Sequence, residues 1–294
     1  MKNNKALGQI SFLIKLLTDR DEFVRNRVQE QLIDLGEDAL PFLEIAVRGG
    51  DDDLRIQANA VIQSILPQKL AEKFRQLAQK GLGQDIDLET GMMLIMEFGY
   101  PNSDPEEFRQ KLDELAQNFA DILNPEAEPP EIVAAFTHFL FQQKGFKGNK
   151  DDYQNPDNSF LNKVLDNQIG LPITLSAICV LLAKRLNLPI VGVGMPGHYI
   201  VKYSLPIEPI YFDPFHQGRL LTKKECIQIV EQFGHSFEEH FLSQATQRET
   251  LIRMLNNLIQ VYKKSNETKK AETLTKYIKI LLNPSKDQQS ERIH

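Results

Sequence analysis

Residues 170–213 constrain the fold of this chain more than any other stretch. They begin with a nearly continuous apolar segment, 172–186, in which polar positions are too few to form a solvent-facing stripe. Pro172 suits the first turn of a helix, because the N–H group that proline lacks would have no partner inside the helix there. Pro189 follows the last apolar turn and predicts the end of the helix. The sequence therefore predicts a helix that is buried on most of its faces.

Three short segments after this helix have the composition of strands. They are rich in β-branched and aromatic residues, and we predict strands at Val191–Gly194, His198–Tyr203 and Ile210–Asp213. His198 and Asp213 then lie at or near strand ends. One buried helix is thus followed by strands that carry an imidazole and a carboxylate.

This order of helix, His-bearing strand and Asp-Pro strand resembles the transglutaminase-like superfamily. It is similar in particular to a bacterial branch with a helical N-terminus and a tetratricopeptide-like tail, whose members are often labelled regulators of gene expression. The matching segments are Asp151-Asp152-Tyr153, Asn158-Ser159-Phe160-Leu161-Asn162, Gly170–Ser176, Gly192–His198 and Asp213-Pro214-Phe215. The resemblance implies an α+β fold. It would have a papain-like, cysteine-protease-type core with a small antiparallel sheet, flanked by HEAT-like N-terminal helices and a C-terminal helical hairpin.

The resemblance also implies a catalytic position that this sequence does not fill. In catalytic members a Cys begins the buried helix and acts with the following His and Asp. Counting back from Leu188-Pro189 places that position at Pro172, while His198 and Asp213 match the other two members. We therefore favour a non-catalytic protein that binds a protein or peptide and acts as a regulatory module. The alternative is a hydrolase or acyl transferase for amide or thioester bonds, with His198 as base, Asp213 as its orienting group and a displaced nucleophile.

Several residues are candidates for such a displaced nucleophile. Cys179 lies two helical turns after Pro172, about 10 Å along the same face, but its apolar neighbours indicate a core residue. Thr174 and Ser176 lie nearer the helix start, and Ser159 lies on the preceding segment. None of them occupies the position that the resemblance assigns to the nucleophile, and Cys226, in a later helix, is not expected to be catalytic.

A metal site is a second alternative. His198, Asp213 and His216 form a set of two His and one carboxylate, the ligand types of hydrolytic zinc and non-haem iron sites. Asp213 and His216 are close enough in sequence to converge at a turn. No second cluster and no helical ligand spacing supports this interpretation, so the sequence leads us to predict neither a metal nor a cofactor.

Composition and net charge limit the classes of partner and the cellular location that we expect for this protein. The 294 residues are 41% hydrophobic and 25% charged, which is typical of a globular protein of two or three domains. The net charge of −6 argues against nucleic acid. Two cysteines are too few for a disulfide framework. No apolar run reaches the roughly 20 residues of a membrane span, and the N-terminus lacks the features of a signal peptide. From these three observations together we predict a cytoplasmic protein.

The helical regions on either side predict the domain organisation. Aspartate-led helix starts recur with an offset of 30 residues, at Val24-Arg25 and Leu54-Arg55, as in short HEAT-like repeats. Pro67 predicts the start of one further helix. Tetratricopeptide-like positions in the tail are Leu255, Leu258, Tyr262, Ala271 and Leu274. We therefore predict a HEAT-like region at 1–80, a transglutaminase-like domain at 81–245, a tetratricopeptide-like hairpin at 246–284 and a disordered tail at 285–294.

Overall fold

The computed structural model describes residues 2–80 and 85–283, and the chain divides into two units, Met1–Lys73 and Phe74–His294. The predicted disordered tail at 285–294 lies outside the described residues. Within the described ranges, no helix combines the length and apolar character needed to cross a bilayer.

The first unit is built from helices. They are α1 (Lys2–Lys15), α2 (Glu22–Leu35), α3 (Leu40–Gly49) and the first part of α4 (Asp52–Lys80). An aspartate precedes each of two helix starts: the Asp21 carboxylate accepts the Phe23 N–H at 2.9 Å, and the Asp51 carboxylate accepts the Leu54 N–H at 2.9 Å. Such caps satisfy N–H groups that have no partner inside the helix. The unit buries an aliphatic core that includes Leu17, Val28, Leu32, Leu43, Ala58, Val61 and Ile62.

Helix α4 differs from the sequence prediction. The predicted break at Pro67 is absent, and one helix runs from Asp52 to Lys80 with Pro67 inside it. An internal proline removes one backbone hydrogen bond and crowds the preceding turn. Leu66 and Leu70 lie on either side of it and are buried, so apolar packing of both halves offsets that local cost.

Over its described residues, 74–80 and 85–283, the second unit combines eight further α-helices with two small sheets. The helices are α5 (Leu88–Gly99), α6 (Pro105–Ala120), α7 (Pro129–Thr137), α8 (Leu161–Asn167), α9 (Pro172–Leu186), α10 (Lys223–Gln232), α11 (Gln247–Lys264) and α12 (Thr268–Leu282). Strands β1 (Lys147–Gly148) and β2 (Ile169–Gly170) form a parallel pair. Strands β3 (Ile190–Val193), β4 (Ile200–Tyr203), β5 (Ile210–Asp213) and β6 (Arg219–Leu221) form an antiparallel sheet in that order. The architecture is α+β, as the sequence predicts.

Helix α9 is the buried helix of the sequence prediction. It begins at Pro172 and ends before Asn187, which adopts a left-handed conformation with φ 53°. Almost every side chain of the helix is buried, and it packs against β3 and β4. Because the helix lies against the sheet, its first turn faces the strand ends that carry His198 and Asp213.

The sheet shows two differences from the predicted strands. Strand β4 begins at Ile200, and His198 precedes it in a turn closed by a hydrogen bond from the His198 N–H to the Met195 carbonyl, 3.3 Å. Strand β6 was not predicted, because three residues with an arginine at the first position carry no clear strand pattern. Pairing with β5 imposes the extended conformation on it, with Phe212 opposite Leu220.

The C-terminal helices α11 and α12 pack against each other and against the rest of the second unit. The Tyr262 ring meets the Phe98 ring of α5 edge to face at 6.2 Å, and the Tyr277 ring stacks on the Phe74 ring at 4.6 Å. These buried aromatic contacts attach the hairpin to the body that carries the sheet.

Candidate functional site

Three elements bring the predicted site residues together. The antiparallel pairing of β4 with β5 sets Val201 opposite Phe212, so the start of β4 and the end of β5 lie at the same edge of the sheet. His198 lies just before β4 and Asp213 is the last residue of β5. Pro172, at the start of α9, lines the same cleft as both.

His198 and Asp213 form a buried hydrogen-bonded pair. The His198 Nε2 atom lies 2.7 Å from Asp213 Oδ2, and the two residues are 8% and 2% exposed. The other carboxylate oxygen, Oδ1, accepts the backbone N–H groups of Phe215 and His216 at 3.0 and 3.3 Å. Burial opposes the charged form of Asp213, but the hydrogen bonds and charges of His198 and His216 outweigh it and hold the pKa of the carboxyl below its usual value.

The pairing determines which nitrogen of His198 can act as a base. An ionised Asp213 accepts hydrogen bonds only, so Nε2 carries a proton. In the neutral ring, Nδ1 is then the basic atom, and it makes no hydrogen bond to any residue that the structure describes. A carboxylate that fixes the tautomer of an imidazole in this way is the arrangement of a general base and its orienting group.

His216 is a third member of this cluster. Its Nδ1 atom lies 2.7 Å from the same oxygen, Asp213 Oδ2, and its side chain is about half exposed. A short 3₁₀ turn, Pro214–His216, follows β5 and folds the ring back over the carboxylate. The structure thus unites the two-His, one-carboxylate set that the sequence raised only as an alternative.

The cluster opens into a cleft of about 600 Å³. Apolar and aromatic side chains from separate segments form part of its wall, among them Tyr153, Phe215 and Phe233. Gly197 is required at this wall for two reasons: its φ is +75°, and a Cβ atom there would lie 2.1 Å from the Phe233 ring. The cleft therefore combines apolar walls with several polar groups, which is typical of ligand sites.

The candidate displaced nucleophiles lie outside this cleft wall. Ser159, Thr174, Ser176 and Cys179 are each at most 2% exposed, and none of them lines the cleft. Ser176 directs its hydroxyl toward the Tyr199 carbonyl at 3.5 Å. Burial raises the pKa of the Cys179 thiol, so this group is protonated and unreactive at neutral pH.

The other cysteine, Cys226, is also protonated. It is fully buried, and burial together with the negative charges of Glu225 and Asp213 raises the pKa of its thiol to about 11. This agrees with the expectation from its position in a later helix that it has no nucleophilic role.

The sequence did not indicate one residue that holds the His198 turn. Arg253 of α11 donates to the carbonyls of Met195 at 2.8 Å and His198 at 2.9 Å, and its guanidinium lies 5.5 Å from the centre of the Tyr199 ring. Burial lowers the pKa of Arg253. Its position in an amphipathic helix of the tail carries no signal of this contact, because the carbonyls that it binds lie more than 50 residues earlier.

Comparisons with known proteins show similarity over the region that contains this site. The profile described as "Transglutaminase-like superfamily" matches residues 106–256. This range holds Pro172, His198, Asp213 and Arg253, so it covers the sheet, helix α9 and the start of the tail hairpin.

Curated relatives are similar over part of the chain. A "UPF0162 protein" of Xylella fastidiosa strain 9a5c is 33% identical over 198 residues, which is 64% of this chain and 69% of the relative. "F-box only protein 21" of Mus musculus is 29% identical over 142 residues, 46% of this chain and 22% of that protein. No solved structure matches the chain. The match over half of the sequence and the similarity to the bacterial relative show that this chain belongs to the transglutaminase-like superfamily.

Proposed function

We propose that this chain is a non-catalytic transglutaminase-like protein that binds a protein or peptide segment in its cleft and acts as a regulatory module. The observation that carries the proposal is the residue at the start of α9. Pro172 lines the cleft beside His198 and has no atom that can act as a nucleophile or release a proton. Among the described residues of α9, none places a hydroxyl or thiol in the cleft wall for the base to activate.

The hydroxyl and thiol groups nearby support this interpretation. Thr174, Ser176 and Cys179 follow Pro172 on the same helix, but they are buried and outside the cleft wall. For any of them to react, a helix turn that is packed on all sides would have to open. The His198–Asp213 pair is then best understood as a fixed polar feature that a bound ligand contacts.

The cleft also suits a peptide. Tyr153 and Phe233 are 44% and 54% exposed at its edge and offer apolar surface to side chains. Gln228 and Gln232 line it from α10, and amides of this kind can both donate to and accept from a peptide backbone. Its volume of about 600 Å³ is in the usual range for ligand clefts.

We extend the proposal to the helical regions. In the first unit the two helices related by the 30-residue offset contact each other, since the Gln29 amide donates to Gln57 at 2.8 Å. This contact supports a HEAT-like repeat pair in the region 1–80. The antiparallel hairpin of α11 and α12 supports a tetratricopeptide-like unit at 246–284, with the transglutaminase-like domain at 81–245 between them. Both helical regions would offer further surface to a protein partner in the cytoplasm.

A second candidate function rests on the same His198. Its Nδ1 atom makes no hydrogen bond to a residue that the structure describes, so this nitrogen is available to act as a base. This observation favours the hydrolase or acyl transferase with a displaced nucleophile. In that case a group supplied by movement of the chain would attack an amide or thioester carbonyl, and His198 would take up its proton.

Site-specific photo-crosslinking in cells tests the binding proposal. A benzophenone amino acid replaces Gln228 in the cleft wall, and a matched control replaces Ile207, which is 97% exposed and outside that wall. We expect a discrete protein adduct from position 228 alone, lost when Phe233→Glu is added at the cleft edge. Binding in the cleft would be contradicted if both positions gave the same adducts, or if the adduct from position 228 still formed in the Phe233→Glu variant. Glutamine transamidation or thioester hydrolysis by the purified protein, abolished by His198→Ala, would favour the enzyme instead.

A further inference from the structure

We propose that His198, Asp213 and His216 bind a divalent transition-metal ion, for which Zn²⁺ is the best match. This inference goes beyond the proposed function and does not depend on it. Imidazole nitrogen and carboxylate oxygen are the preferred ligands of such ions, and three of them with an open position form a recurrent type of zinc or iron site.

The three ligand atoms already converge. His198 Nε2, Asp213 Oδ2 and His216 Nδ1 all lie within 4.8 Å of one another. Both nitrogens are directed at the same oxygen, each at 2.7 Å. The ligands come from the turn before β4, the end of β5 and the 3₁₀ turn after it, so the sheet itself sets their spacing.

The carboxylate is oriented before any ion binds. Asp213 Oδ1 is held by the N–H groups of Phe215 and His216, which leaves Oδ2 as the oxygen presented to both rings. Supporting hydrogen bonds of this kind fix the direction of a metal ligand and strengthen its affinity. Burial of Asp213 at 2% exposure also removes competing water from the ligand oxygen.

Coordination requires a rearrangement of all three ligand atoms, because the two ring nitrogens, which lie within 4.8 Å of each other, would also have to approach. Zinc lies about 2.0–2.2 Å from such ligands, so two ligand atoms of a tetrahedral site are about 3.3 Å apart. Each nitrogen–oxygen distance would therefore widen by roughly 0.6 Å as the ion replaces two hydrogen bonds to Oδ2, and each neutral ring would carry its proton on the other nitrogen instead. His216 can make the larger movement because its side chain is 46% exposed, while the buried His198 and Asp213 have only to separate by that distance.

The open coordination position would face the cleft, since all three residues line it. Two charged neighbours, Arg219 and Glu225, also line it and form an ion pair with each other, so their charges largely cancel near the ion. Water or a carboxylate of a bound ligand could occupy the open position.

Metal binding is measured on the full chain after treatment with a chelator. Zn²⁺ is titrated by calorimetry, and Co²⁺ is added separately because its visible absorption reports coordination number. We expect one ion per chain and a low-coordinate Co²⁺ spectrum. His216→Ala should weaken Zn²⁺ binding by at least about 100-fold, since it removes a direct ligand. Because the His216 side chain is about half exposed, we expect the variant to fold, and a melting curve checks this.

His240→Ala is the matched control. His240 is exposed and also contacts a carboxylate, with Nδ1 3.2 Å from Glu238 Oε2, but it belongs to no group of three potential metal ligands among the described residues. We expect this variant to bind Zn²⁺ as the unaltered protein does. No one-to-one binding, or equal binding by the His216→Ala variant, would overturn the proposal. Cross-linking from position 228 in the presence of chelator is a separate readout, so failure of the metal site and failure of peptide binding can be told apart.

Discussion

The two sides of the cleft differ in what they can do chemically. The sheet side holds an imidazole paired with a buried carboxylate, backed by two backbone N–H groups and a second imidazole. The helix side begins with Pro172, and Thr174, Ser176 and Cys179, which follow it, are buried outside the cleft wall. Among the residues that the structure describes, the orienting pair is therefore fully formed while α9 contributes no hydroxyl or thiol to the cleft wall. The presence of a His–Asp pair alone does not establish catalysis.

The largest expected effect comes from supplying the missing group. Pro172→Cys should place a thiol at a helix N-terminus that lines the cleft beside His198, where the helix dipole and the imidazole lower its pKa. At pH 7 we expect alkylation at position 172 to be on the order of tenfold faster than for a free thiol. Ile207→Cys, at a 97% exposed position, is the reference. Equal rates at the two positions would show that the start of α9 does not face a functional base.

Removal of the imidazole tests the sheet side. His198→Ala leaves the buried Asp213 carboxylate without one partner and should lower the free energy of unfolding by about 1–3 kcal/mol. His240→Ala, at an exposed His–Glu pair, should change it by less than about 0.5 kcal/mol. Chemical denaturation of both variants measures the difference. Equal stability would mean that the His198–Asp213 pair does not contribute to folding, and would strengthen a purely functional role.

Arg253 links the tail to the sheet side. Arg253→Met keeps most of the apolar stem but leaves the carbonyls of Met195 and His198 without their donor, so we expect a loss of about 1–2 kcal/mol in unfolding free energy. The His198 ring resonances in NMR spectra should also shift, because the turn that carries the ring is released. Unchanged resonances would contradict a positioning role for Arg253. Arg248→Met is the control, since this residue of α11 donates to the Leu281 carbonyl instead.

The pH dependence of stability is the smallest expected effect. The folded protein holds the pKa of Asp213 below its value in the unfolded chain, so the unfolded state binds the proton more readily. The resulting stabilisation is complete above about pH 4 and is lost as pH falls through the lower folded pKa. The free energy of unfolding of the Asp213→Asn variant should therefore differ most from that of the unaltered protein at neutral pH, and this difference should become smaller below about pH 4. A difference that is constant with pH would show that ionisation of Asp213 does not contribute to stability.

The sequence predicts the local parts of this site better than the distant ones. Helix α9, its ends and the strand that carries Asp213 follow from apolar pattern, proline position and β-branched composition. The pairing of His198 with Asp213 came from the order of elements in a known superfamily. A contact between remote segments was not predicted, since Arg253 binds the His198 turn from 55 residues away. The convergence of His216 on Asp213 at a turn was raised from the sequence, although only as an alternative.

Other departures have a similar cause. Pro67 predicts a helix break by its local chemistry, but the packing of Leu66 and Leu70 keeps α4 continuous. Strand β6 carries no strong strand signal and depends on pairing with β5. In each case a tertiary contact determines the outcome, and such contacts have no signature in a short window of sequence.

The central claim, that the native chain has no activated nucleophile, is tested most directly by alkylation rates resolved at each cysteine. Iodoacetamide labelling of the native protein is followed by mass spectrometry at Cys179 and Cys226, with the unfolded chain as reference and His198→Ala as the comparison variant. Because burial raises the pKa of the Cys179 thiol, we predict that Cys179 is labelled far more slowly in the native protein than in the unfolded chain. We also predict that the His198→Ala substitution does not slow this labelling further. Fast labelling of native Cys179 that is lost in His198→Ala would contradict the account and establish a displaced thiol enzyme.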